Sequence, residues 1–221
     1  MQNIKAVFWD FGGVIAESPF VAMNRYEQEQ GLPENFLRLT NAENPDSNAW
    51  ACFERGEISL DEFDQRFLEE TRRRGHPVPG RSLLPLLAVN VRPGMLEIID
   101  LIGANWLQAC LTNNLPVGHG AGMSNDDDQA ASVTEVMQRF SFVLESSKAG
   151  ARKPEPAFYL QACRMADVEP EQVVFLDDLG INLKPARQLG MTTIKVVEAS
   201  AAITELEQVL ALPANHLSQH L

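Results

Sequence analysis

Apolar residues along the chain follow two distinct spacings. Short β-rich runs recur at IKAVFW (4–9), LQACL (107–111), FSFVL (140–144), QVVFL (172–176) and TTIKVV (192–197). They are nearly continuous rather than alternating, as strands buried on both faces of a parallel sheet are. Between them, apolar positions three and four apart, together with helix-start residues, predict helices over 93–102, 133–139, 154–166, 181–189 and 203–210. Strands alternating with helices predict an α/β fold, a Rossmann-like doubly wound parallel sheet covered on both sides.

The interval between the first two runs is far longer than a crossover needs, and residues 17–90 within it read almost wholly as helix. The expectation is an α-helical cap inserted into a core made of residues 1–16 and 91–221. The segment ISLDEFDQRFLEETRRRG is the best-signalled cap helix: Ser59 is its N-cap, Glu62 follows three residues later, Leu60, Phe63, Phe67 and Leu68 form a stripe, and Gly75 closes it. The stretch 117–132, glycine-rich and then acidic, reads as a mobile loop.

Composition narrows the function. The 221 residues hold 18 Lys and Arg against 30 Asp and Glu, a net charge of -12, with 45% hydrophobic residues. This suffices for a real core and excludes disorder. So acidic a surface argues against nucleic acid and against an anionic membrane as partners. No apolar run approaches the roughly 20 residues of a spanning helix, and the start MQNIKAVFWD lacks signal-peptide order, so the expected location is cytoplasmic. Cys52, Cys110 and Cys163 lie far apart and read as reduced core thiols.

Candidate chemistry sits just after the strands, where open parallel sheets collect ligands. The first run ends in Asp10, followed by Phe11-Gly12-Gly13; the second ends in Thr112-Asn113-Asn114; the fourth ends in Asp177-Asp178; and Lys153 opens a helix at Pro154 after the third. Carboxylates about 4 Å apart repel by roughly 4 kcal/mol at an effective dielectric near 20, so three of them need more countercharge than one lysine supplies. Oxygen ligands without Cys or His select Mg²⁺, and magnesium with a lysine makes a phosphate site.

The segments WDFGGVI, LTNN, RKPEPAFY and VVFLDDLGINLKPARQLGM resemble, in order and spacing, the four motifs of the haloacid dehalogenase-like (HAD) superfamily. With FERGEISLDEF in the cap, they are most similar to the branch holding the N-terminal phosphatase domain of soluble epoxide hydrolase and the N-terminal domain of acyl-CoA dehydrogenase fusion proteins. The resemblance implies a hydrolase of small phosphorylated organic substrates. In it Asp10 is the nucleophile that becomes a phospho-aspartate, Thr112, Asn113 and Lys153 bind the phosphoryl group, and Thr112 and Lys153 also serve catalysis. Asp10, the Gly12 carbonyl and Asp178 hold Mg²⁺, with Asp177 behind them orienting bound water.

One position departs from that pattern. HAD phosphatases usually carry an aspartate two residues after the nucleophile as general acid and base, and here Gly12 stands there. Its absence is expected to slow hydrolysis of alkyl phosphates by about 10²–10⁴-fold unless Glu17 or a cap residue replaces it. Two alternatives follow: a metal-independent 2-haloacid dehalogenase, and a protein that binds a phosphorylated ligand without turning it over. Other features read as structural. Arg72-Arg73-Arg74 complement a helix C-terminus, Asp126-Asp127-Asp128 form a solvated loop and cap, His216 and His220 lie on a frayed tail, and Trp9 packs the sheet.

Overall fold

The computed structural model describes residues 3–88, 90–117, 123 and 127–221. Five strands, β1 (Ala6–Trp9), β2 (Leu107–Thr112), β3 (Phe142–Glu145), β4 (Val173–Asp177) and β5 (Thr192–Lys195), form one parallel sheet in the order β3-β2-β1-β4-β5. Side-chain alternation along β1 explains its two-sided burial. Val7 and Trp9 pack with Ile98, Ile99, Val136 and Leu206 on one face, while Ala6 and Phe8 pack with Phe158, Tyr159 and Leu183 on the other. Trp9 is wholly buried and donates its Nε1–H to Gln108 Oε1 at 2.9 Å, so it packs the sheet as its alternation requires.

Between β1 and β2 the chain forms α1 (Pro19–Glu29), α2 (Phe36–Ala42), α3 (Ala49–Glu54), α4 (Leu60–Arg73) and a 3-10 helix (Gly80–Leu87). These bury their own apolar centre, with Phe36, Trp50, Phe53, Phe63, Phe67 and Leu83 at its heart. The rings of Phe53 and Phe63 stack with centroids 4.6 Å apart, and Trp50 meets Phe63 edge-on. Helix α4 begins with the expected capping box: Ser59 accepts from the Glu62 amide, and Glu62 accepts from the Ser59 amide. Phe63 and Phe67 of its stripe are fully buried. The two crossings into this helical insert run side by side, since Ala16 bridges Val91, Glu17 N–H reaches Asn90 O, and Arg92 N–H reaches Ile15 O.

The remaining helices cover the sheet: α5 (Met95–Gly103), α6 (Asp127–Met137), the short α7 (Ser146–Ala149), α8 (Pro156–Ala166), α9 (Gly180–Gln188) and α10 (Ala199–Val209). No helix of the described residues is long and apolar enough to cross a membrane. Several boundaries depart from the sequence pattern. Helix α6 starts at 127, so part of the segment read as a loop is helical; residues 118–122 and 124–126, including Asp126, lie outside the described residues. In KPEP the proline of the first helical turn is Pro156 rather than Pro154. Helix α10 starts at Ala199, four residues ahead of its apolar stripe.

The C-terminal tail is anchored, not frayed. The buried Glu207 carboxylate accepts the amides of Asn215, Leu217 and Ser218, and His220 pairs with Glu97 at 2.8 Å. Arg72 and Arg73 pair with Glu69 on the solvated helix end, whereas the half-buried Arg74 pairs with Glu43 and lies over the Phe36 ring. The three cysteines are buried free thiols.

Candidate active site

Asp10 follows β1 directly, and its amide donates to Leu176 O at 2.8 Å, which extends the β1–β4 pairing one step and draws the two strand ends together. The order of the sheet reverses at this point, with β2 and β3 on one side of β1 and β4 and β5 on the other. Carboxylate oxygens of Asp10, Asp177 and Asp178 consequently lie within 4.8 Å of one another, the one such acidic, histidine or cysteine cluster among the described residues. His216 and His220 take no part in it.

Lys153 is the countercharge. It is 1% exposed, and its Nζ lies 2.7 Å from Asp10 Oδ1 and 2.9 Å from Asp177 Oδ2. Asp10 Oδ1 also accepts the Phe11 amide at 2.7 Å. Asp177 is heavily committed elsewhere: Oδ1 takes the Leu179 amide, and Asn182 Nδ2 reaches both oxygens. Asn182 was not singled out from the sequence. The signal for it is its place in the first turn of α9, just after the strand that ends in Asp177, where a short amide side chain can turn back onto a strand-end carboxylate.

The residues after β2 divide their work. Thr112 is the buried last residue of that strand, level with Glu145. The half-buried Asn113 side chain is committed to protein partners. Its Nδ2 donates to Lys153 O at 2.8 Å and to Glu54 Oε2 at 3.3 Å, while its Oδ1 accepts the Lys153 amide at 2.9 Å. Both amide hydrogens are spent on this clamp, and the reason is tertiary: the 152–155 loop passes beside the β2 end. Asn114 likewise ties to Glu145, Ser146 and Ser147. Glu54, at the end of α3, was invisible to sequence reasoning. It accepts from Trp50 Nε1 at 2.8 Å and pairs with Arg152 at 2.5 Å.

The two glycines after the nucleophile have different causes. Gly13 has φ +84°, and a Cβ there would sit 2.3 Å from Asp178 Oδ2, so only glycine admits the carboxylate. Gly12 has no left-handed φ, and a Cβ there would meet only Pro19 side-chain atoms, at 3.3 and 3.9 Å. The Gly12 backbone therefore tolerates a side chain. Arg92 ties the loop to the insert crossing through Gly13 O and Ala16 O. Glu17 is exposed at that crossing, 3.5 Å from Asn90 Nδ2.

Electrostatics shows how much charge the cluster still wants. Burial, reinforced by Asp177 and Asp178, pushes the Asp10 carboxyl up to about 8 despite Lys153. Burial and Asp177 push Asp178 up to about 6. Burial opposes the Lys153 charge, yet Asp10 and Asp177 hold its ammonium well above the usual lysine range. A cluster that holds its protons this firmly suits a small divalent cation, and an all-oxygen donor set of Asp10 and Asp178, with the neighbouring main chain, fits a hard ion such as Mg²⁺.

Known proteins resemble this chain in sequence and in fold. Acyl-CoA dehydrogenase family member 10 of Mus musculus is 33% identical over 218 residues, covering 96% of this chain and 20% of that protein. Bifunctional epoxide hydrolase 2 of Mus musculus is 28% identical over 218 residues, covering 93% of this chain and 39% of that protein. The chain thus spans well under half the length of either relative. A crystal structure of the HAD family enzyme bt-2542 of Bacteroides thetaiotaomicron, in complex with magnesium and inorganic phosphate, superposes with a TM-score of 0.56 at 19% identity, covering 88% of this chain and 96% of that one. With a parallel sheet interrupted by a helical insert, an acidic cluster at its switch point, and a match to the family model over residues 4–190, the chain belongs to the haloacid dehalogenase-like hydrolases.

Proposed function

We propose that the protein is a Mg²⁺-dependent phosphatase acting on a small phosphorylated organic molecule through a phospho-aspartate on Asp10. The observation that carries this reading is the gathering of Asp10, Asp177 and Asp178 around one buried lysine. The magnesium and phosphate bound by the Bacteroides relative support it. Asp10, Asp178 and the Gly12 carbonyl would hold Mg²⁺, which when bound neutralises charge on the phosphoryl oxygens.

Asp10 attacks phosphorus in line, and the bond to the leaving oxygen breaks with its electron pair. Lys153 offsets charge on the equatorial oxygens, helped by Thr112 at the β2 end. Asp177 holds Lys153 in place, and Asn113 contributes by clamping the Lys153 main chain. Water then attacks the phosphoryl group on Asp10, releasing inorganic phosphate and restoring the carboxylate. The helical insert, taken as 17–90 against a core of 1–16 and 91–221, closes over the site and selects the substrate. Gly12 supplies no general acid, so esters with poor leaving groups react slowly.

Asp10→Asn is expected to abolish phosphate release from p-nitrophenyl phosphate, and chelation to stop the native enzyme reversibly. Activity surviving both treatments would sink the reading. Gly12 favours one rival, hydrolytic dehalogenation, which needs no proton donor for halide departure; chloride release from 2-chloropropionate without magnesium would establish it. Stable beryllium trifluoride binding at Asp10 with no turnover across a panel of phosphates would instead mark a phospholigand-binding protein.

A further inference from the structure

We propose that Glu54, carried by the helical insert, is a positioning residue for Lys153, so that seating the insert and aligning the lysine are one event. The kinetic consequence rests on the phosphatase reading; the alignment itself does not.

Glu54 is 6% exposed and meets three separate parts of the chain: it accepts from Trp50 Nε1 on its own helix and from Asn113 Nδ2 at the end of β2, and it forms an ion pair with Arg152 in the loop before α8. Asn113 in turn grips the Lys153 main chain in both directions, N–H to Oδ1 and Nδ2 to O. Asparagine presents an acceptor on one side and two donors on the other. A half-turn of the Asn113 amide would bring its oxygen against Lys153 O and Glu54 Oε2, three acceptors together. The Lys153 main chain sets this orientation, and Glu54, which only accepts when ionised, adds a third hold from the insert that favours the same orientation. The Lys153 ammonium is fixed at its far end by Asp10 and Asp177, so its near end decides whether the side chain lies relaxed between them.

Contacts around Glu54 make the link depend on the insert being seated. Arg152 also donates to Pro45 O, at 3.1 Å, and Arg55 pairs with Glu155, at 3.1 Å. Gly56 is pressed so closely onto the core that a Cβ there would lie 2.7 Å from Ser147 O. Lifting the insert breaks these contacts together and removes the Glu54 hold on the Asn113 amide, loosening its grip on the Lys153 main chain. Insert and core thus exchange oppositely charged partners on either side of Lys153, Glu54 with Arg152 and Arg55 with Glu155.

The test compares the full-length wild type, Glu54→Gln and Arg55→Ala, since the last breaks the neighbouring pair with Glu155 and spares the Asn113 route. Backbone amide exchange at Lys153, followed by NMR, is expected to speed up about tenfold in Glu54→Gln relative to amides of β4, and to stay within about twofold in Arg55→Ala. With p-nitrophenyl phosphate and Mg²⁺, kcat is expected to fall about tenfold in Glu54→Gln with KM within about twofold, as misplacement of a group acting in the transition state requires. Unchanged exchange in Glu54→Gln, equal effects in both variants, or faster exchange with unaltered kcat would each overturn the proposal. Should the single variant fail to fold, Glu54→Gln with Arg152→Met removes the buried pair together and is read the same way. Faster Lys153 exchange in a protein whose wild type hydrolyses no phosphate would leave the alignment standing and remove the phosphatase reading instead.

Discussion

The core and the helical insert bury different things. At the C-terminal edge of the sheet the core gathers two buried carboxylates, a half-buried third and a buried lysine, whereas the insert closes around Trp50, Phe53, Phe63 and Phe67. Stacked rings stabilise without conditions, because each loses only water. Clustered acids are held against the cost of burying their charge and, after that, against their own repulsion, as the raised Asp10 and Asp178 carboxyls show. The insert is therefore built to stay folded, and the core edge is built to react. Glu207 sharpens the point within the core. It too is buried, yet its carboxylate is met by three backbone amides, so it anchors the tail instead of storing charge.

The most disruptive way to test this contrast is to remove Lys153. Lys153→Met leaves two buried carboxylates without their cation, and we expect a loss of about 3–5 kcal/mol in urea unfolding together with loss of phosphate release. Phe63→Ala strikes the other region. Its ring touches Trp50, Phe53 and Phe67, so a similar loss of about 3–5 kcal/mol is expected, but Lys153 and the acids keep their places and the molecules that remain folded should keep kcat. Equal loss of kcat in both variants would erase the distinction.

Smaller substitutions resolve the core edge itself. Gly13→Ala forces a side chain into Asp178 and into an unfavourable φ, costing about 1–3 kcal/mol and weakening Mg²⁺ binding measured by calorimetry. Gly12→Ala, with ordinary φ and only Pro19 to displace, should cost less than about 1 kcal/mol. Reversal of that order would mean the nucleophile loop is set by something other than the approach of Asp178. Gly12→Asp should likewise fold, and should raise turnover of alkyl phosphates if the missing acid limits it.

Glu207→Gln probes the well-satisfied acid. Burial raises its carboxyl, but the amides of Ser218, Leu217 and Asn215 outweigh this and hold it below its ordinary value of 4.5. The stabilisation is therefore present above that value and disappears as pH falls through the lower folded-state pKa. Wild type should exceed the variant by about 1–2 kcal/mol near neutral pH, the gap closing in urea titrations as pH falls below the ordinary glutamate range. A gap that widens in acid would contradict the assignment.

Much of this was legible in local pattern. The five strands, the helical insert, the Ser59 capping box and the acids beyond β1 and β4 each announce themselves within a few residues, since burial periodicity and caps are short-range properties. The start of α6 was hidden by its small and acidic residues, which carry no apolar stripe at that end. Glycine was readable as a turn residue, but its two uses were not: Gly13 is required by an approaching carboxylate, and Gly12 is not required by its backbone.

What the amino-acid order determined by itself is the set of elements and the chemistry at their ends. Partners were decided only by the tertiary structure. The Asn113 side chain grips Lys153, Asn182 and Lys153 take up Asp177, Glu54 reaches across from the insert, and Glu207 anchors the tail. The physical reason is range. An apolar stripe needs only its own helix or strand to be recognised, whereas a hydrogen bond depends on ångström-level placement of groups that the chain brings together from far apart.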